Sequence, residues 1–236
     1  MNKLKYLLPI RCIFFILIFV IGGIVTKKEL IDISNWWSIV ATIVNIITIL
    51  ILLFVCKKMN ITYKKLINYE KGKTKIKQVI IVALIVLVFV SIGMNLAGLI
   101  CYKVIPYNAP MMAAPIPLIL AIINFILLPL TVSFAEDGLY LGCGVNSFKN
   151  KYLAILVPAF FYALQHSFIP TLWDVKYIIY RFISFLPLTI IFCYYYHKKK
   201  NPVPIMIGHA IVEVVSVILI LVTSISPEIY QTWLNI

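Results

Sequence analysis

The 236-residue chain is poor in charge: only 12% of its residues are Asp, Glu, Lys or Arg, and just eight of them are acidic. It lacks any polar stretch long enough to fold as a separate soluble unit, any internal repeat and any low-complexity tract. The five cysteines (Cys12, Cys56, Cys101, Cys143 and Cys193) are odd in number and scattered, without CxxC spacing. A disulfide framework is excluded, and the cysteines read as small apolar fillers. There is no HExxH, so no helix carries the zinc-protease signature.

What fills the chain is apolar. It is 63% hydrophobic with a mean hydropathy of +1.03, which defines a membrane protein and a single integral membrane domain over 1–236. The formal net charge of +13 does not point to nucleic acid. Eight lysines lie between Lys57 and Lys77, a pattern that reads as an inner-face loop against anionic membrane lipids.

Seven apolar segments approach the roughly 20 residues that a spanning helix needs. They lie near 6–26, 36–56, 78–101, 113–135, 151–169, 177–196 and 203–224, and predict an all-α polytopic membrane helix bundle of about seven transmembrane helices. The first begins like a signal peptide, with Lys3 and Lys5 ahead of an apolar run. It ends in "GGIVTKKEL" without an A-x-A site, so it is expected to be retained. An inside N-terminus puts sixteen basic residues, Arg11 among them, on the inner side and four on the outer, with Arg181 inside the sixth segment. The positive-inside rule therefore places the N-terminus inside and the C-terminus outside. The 57–77 loop carries Ile61, Leu66 and Ile67, consistent either with a short amphipathic surface helix or with a solvated loop.

Against this background "PLTVSFAEDGLYLGCG" (129–144) stands out, because a carboxylate in lipid is expensive and is retained for function. Five acids lie in loops or the tail; Glu136, Asp137 and Glu213 lie in or at the edge of apolar segments, as do His166 and His209. A lone membrane histidine is often a hydrogen-bonded bundle residue, and a lone interfacial acid often ends a helix. Five such groups together need partners that lipid cannot supply. His209 and Glu213 are four apart and share a helix face, as do Tyr162 and His166. Glu136 and Asp137 are about 100° apart around a helix, so one can face a cavity while the other holds a neighbour. Carboxylate and imidazole are the groups that activate water or bind a metal.

Three motifs in order make the chain resemble the CPBP family, the type II CAAX prenyl endopeptidases and their bacterial relatives, some linked to bacteriocin processing or immunity. "EDGLYLG" (136–142) is similar to the family's EExxxRG, "FYALQH" (161–166) to FxxxH, and "NPVPIMIGHAIVE" (201–213) to HxxxN or HxxxD. The resemblance covers a core of 115–225. It implies an intramembrane endopeptidase of the CAAX prenyl protease type with catalytic Glu136, Asp137, His166, His209 and Glu213. Leu141 stands where the family has Arg, removing the cation expected beside the second acid. Glu213 stands where the family has an amide or Asp, and an ionised carboxylate there would oppose a developing oxyanion.

The expected reaction is hydrolysis of a peptide bond in a membrane-associated peptide or protein by water that Glu136 activates. No cofactor is needed in that reading. A metalloprotease reading stays open, with His166, His209 and Glu136 as zinc ligands and one position left for water. The alternative function is a non-catalytic bacteriocin immunity or membrane interaction protein on the same fold. A proton-coupled carrier is disfavoured because no inverted repeat appears. The Lys- and Ile-rich composition indicates a low-GC bacterium, hence a multi-pass cell-membrane protein acting on a peptide precursor, signalling peptide or bacteriocin-related substrate. Glu136 is expected at the inner end of the fourth span with the site opening inward, whereas His166 falls late in the fifth.

Overall fold

The computed structural model describes residues 2–105, 107 and 109–234. A 3-10 turn (Asn2–Leu7) leads into α1 (Ile10–Thr26), followed by α2 (Leu30–Ser34), α3 (Trp37–Lys58), α4 (Tyr63–Leu66) and α5 (Ile76–Tyr102). Beyond a 3-10 turn (Pro110–Ala113) come α6 (Leu118–Val132), a π-helical continuation (Ser133–Gly144), α7 (Lys151–His166), α8 (Val175–Lys199), α9 (Val203–Ile225) and α10 (Pro227–Leu234). The bundle is all-α, and six helices among the described residues are long and apolar enough to cross a membrane. Ile119, Ile126 and Leu130 on α6 point outward, as lipid-facing residues do.

The fifth expected span is the shortest. Sixteen residues at 1.5 Å each give α7 a length of about 24 Å. It nonetheless runs antiparallel to α8. Thr189 Oγ1 donates to the Ala159 carbonyl at 3.0 Å, and Arg181 Nε to the His166 carbonyl at 3.2 Å, so rising numbers on one helix meet falling numbers on the other.

Small and polar residues let the helices approach, as expected where lipid supplies no hydrophobic drive between them. Thr42 Oγ1 donates to Asn124 Oδ1 at 2.5 Å and Asn45 Nδ2 to Thr131 Oγ1 at 3.2 Å, joining α3 to α6. Ser133 Oγ donates to the Met206 carbonyl at 2.7 Å, joining the π segment to α9. On α5, Gly93 lies directly against the Ser184 backbone of α8, and a Cβ there would collide with the Ser184 carbonyl oxygen. A backbone atom cannot rotate aside. Gly93→Ala is therefore expected to force α5 and α8 apart at a cost of about 1–3 kcal/mol. A lowered midpoint in thermal unfolding of the detergent-solubilised protein would register it; an unchanged midpoint would mean the two helices are not in contact.

The lysine-rich loop is neither of the two expected forms in full. Its lysines are largely exposed, but Leu66 and Ile67 are buried in the protein core rather than in lipid. Asn68 Nδ2 donates to the Tyr196 hydroxyl at 2.8 Å, and Asn146 Nδ2 to the same oxygen at 2.9 Å. The loop thus closes the lysine-rich end of the bundle as a cap.

Candidate active site

The fourth span does not stop near Glu136. It runs unbroken as Leu118–Ser147, thirty residues, so Glu136 sits past its middle rather than at its end. The expectation of an inner-end glutamate is corrected accordingly, and its mismatch in depth with His166 disappears. Gly138, Gly142 and Gly144 lie inside this span and are packing residues. A Cβ on Gly138 would run into Leu52 Cδ1 at 2.9 Å and into the Tyr63 hydroxyl, which itself donates to the Phe134 carbonyl at 2.6 Å. From Ser133 the backbone bonds widen to the π pattern, a geometry that often accompanies functional sites.

This widened segment carries Glu136 and Asp137, both buried. Glu136 Oε2 lies 3.8 Å from His166 Nε2 on α7 and 3.9 Å from His209 Nε2 on α9. It is buried and has no hydrogen-bond partner among the described residues. These separations exceed direct hydrogen bonds but suit a bridging water. Asp137 turns to a neighbouring helix. Its Oδ1 accepts from the Tyr162 hydroxyl at 3.1 Å, and its Oδ2 lies 3.5 Å from His209 Nδ1. Tyr162 also reaches His209 Nδ1 at 3.0 Å, so it braces acid and imidazole together. His166 is fixed differently, stacked on Phe185 with ring centres 3.8 Å apart. Glu213 Oε1 lies 4.0 Å from His209 Nε2, one turn further along α9. All five expected site residues therefore meet in one place.

Two arginines complete the surroundings, and neither was assigned to the site from the sequence. Arg11, counted there as an inner flanking charge, is wholly buried in the bundle. Its Nη2 donates to Glu136 Oε1 at 2.7 Å and to Asn45 Oδ1 at 2.8 Å. Its Nη1 donates to Thr48 Oγ1 at 3.0 Å, and its Nε to Gln165 Oε1 at 2.5 Å. A cation at the acid pair is thus present, supplied by α1 and not by position 141, where Leu141 is buried in the apolar core. The available signal was its setting: "IRCIFFILIFV" places one arginine at the start of an uninterrupted apolar run. Arg181, on α8, is buried beside His166.

A cavity of about 140 Å³ reaches these groups, with Glu136, His166, Arg181 and Glu213 in its wall. Its remaining lining includes Tyr107 and Met112 from the α5–α6 connection. The cavity therefore lies toward that connection, on the side opposite the lysine-rich loop. This corrects the expected inward opening. The cause is the same misplaced helix end: with Glu136 deep in the bundle, the space beyond it lies on the other side.

Among the described residues, no group of three or more His, Cys, Asp or Glu side chains is arranged to hold a metal ion. The ligand set expected for zinc, His166, His209 and Glu136, has one carboxylate oxygen already held by Arg11. A dication held by the other oxygen, Oε2, and the two imidazoles would sit beside a guanidinium.

Residues 117–215 match the family model described as Type II CAAX prenyl endopeptidase Rce1-like. Over that segment the chain is similar to the core of the type II CAAX prenyl endopeptidases, a family of intramembrane endopeptidases. Comparison with curated proteins and with solved structures gave no match.

Proposed function

We propose that the protein is an intramembrane peptidase that cleaves a membrane-associated peptide or protein through water activated by Glu136. The observation that carries this reading is the buried, unpartnered Glu136 Oε2 facing two imidazole nitrogens at 3.8 and 3.9 Å. A water there is polarised by the carboxylate, which takes its proton as the oxygen bonds to the scissile carbonyl carbon. His209 donates toward the oxygen that becomes negative. The carbon–nitrogen bond then breaks as the proton held by Glu136 passes to the leaving amine. Asp137 and Tyr162 orient His209, and Arg11 holds the other oxygen of Glu136 so that Oε2 keeps its direction. The apolar cavity wall suits a hydrophobic peptide segment.

The ion pair to Arg11 and the carboxylate of Glu213 favour a second reading, a non-catalytic immunity or interaction protein in which these groups only hold the bundle together. His166→Ala separates the two. Reconstituted protein is given membrane-associated peptides and the products are read by mass spectrometry, while the same variant is tested for complementation at equal expression. Loss of both cleavage and complementation is expected; complementation without cleavage would establish the binding role. Cleavage is also expected to survive chelation, and loss reversed by Zn²⁺ would overturn the metal-free mechanism.

A further inference from the structure

Arg11 and Arg181 are buried to a similar depth but differ in company. Arg11 has four side-chain partners, one of them a carboxylate. Arg181 is 3% exposed, lines the cavity, and makes one hydrogen bond among the described residues, Nε to the His166 carbonyl. The guanidinium also lies over the Phe185 ring, 4.8 Å from its centre. No carboxylate lies within 4.0 Å of it among the described residues, Glu213 in the same wall included. Of its five N–H donors, four therefore have no acceptor among the described residues. An unpaired cation in a membrane interior is costly and is usually retained for a charged partner.

We propose that Arg181 is a substrate-binding residue that receives a carboxylate of the bound peptide. The guanidinium fork fits a carboxylate in a bidentate pair, the geometry in which Arg is most selective. Arg11 and Tyr162 hold Glu136 and Asp137 in place. Glu213, although it feels the charge of Arg181 across the cavity, makes no ion pair with it within 4.0 Å. A carboxylate on the peptide supplies the charge that Arg181 lacks, and anchoring it beside His166 positions the chain next to Glu136. The carboxylate comes from a chain terminus or from an acidic side chain.

This subsite rests on the peptidase reading for its purpose but is tested by binding alone. The protein with Glu136→Gln, in detergent micelles, is titrated with three dansylated apolar tetrapeptides: a free C-terminal acid, its amide, and an amide with one internal aspartate. At least one carboxylate-bearing peptide is expected to bind tenfold or more tightly than the plain amide, and which one does so identifies the source. In Arg181→Gln that difference should vanish; Arg181→Lys, which keeps the charge but not the fork, should retain part of it. Equal binding of all three peptides to the Arg181-containing protein overturns the proposal, and this reading needs no substitution at Arg181. Cleavage indifferent to the carboxylate would likewise remove the subsite while leaving the peptidase intact. Carboxylate-selective binding without any cleavage by the wild type would do the reverse.

Discussion

Glu136→Gln is expected to lower the cleavage rate by a factor of about 10²–10⁴, the range that a positioned general base contributes. The substitution preserves shape. Its carbonyl oxygen can still accept from Arg11, so the cage of Asn45, Thr48 and Gln165 should persist. What changes is the group facing the histidines: a carboxylate oxygen able to take a proton becomes an amide able only to donate or weakly accept. Glu136→Asp should fall between the two, because the shorter side chain either leaves Arg11 or retreats from the imidazoles. The rates need to be measured with peptide at saturation and with thermal unfolding of the same samples. A rate within about threefold of wild type, in a folded variant, would remove Glu136 from the mechanism.

Arg11→Met should have the largest effect on stability, a loss of about 3–5 kcal/mol. The methionine fills most of the apolar volume but leaves Glu136 buried beside Asp137 with no cation, and leaves Asn45, Thr48 and Gln165 without their shared donor. Most of the loss is therefore the cost of a stranded negative charge rather than of missing contacts. The double variant Arg11→Met with Glu136→Gln tests this directly. Removing the charge as well should recover a large part of the stability, although the double variant is inactive. Unfolding midpoints of the two single variants and the double variant close the cycle. A double variant no more stable than Arg11→Met would show that electrostatics at this pair contribute little.

The features that were legible in the sequence are those set by composition and local spacing. Long apolar runs gave the helices, and the four-residue interval from His209 to Glu213 gave their common face. What escaped is non-local. Nothing near Arg11 in the chain reveals that its partner is residue 136, and counting it with Lys3 and Lys5 as a flanking charge hid it. Leu141 read as a missing cation because the replacement comes from another helix. Near residue 135 the apolar run meets Glu136 and Asp137, which reads as the end of the fourth span. The three glycines beyond allow close approach between packed helices, and the helix continues through them. That one misreading displaced the glutamate and reversed the side of the cavity. Leu66 and Ile67 were assigned to a lipid surface or to solvent because the sequence offers no sign of the pocket that receives them.

Arg11 and Glu136 are separated by 125 positions. During synthesis the first helix enters the bilayer with an arginine that has no acid to meet until the fourth span follows. For that interval the charge must be tolerated by water, by lipid phosphates near the surface, or by Asn45 and Thr48 once α3 has arrived. The site is thus assembled in a fixed temporal order, with its cation first and its acid last. A shortened translation product beginning after α1 would insert the acid pair without its counter-charge, however intact the 117–215 core remained.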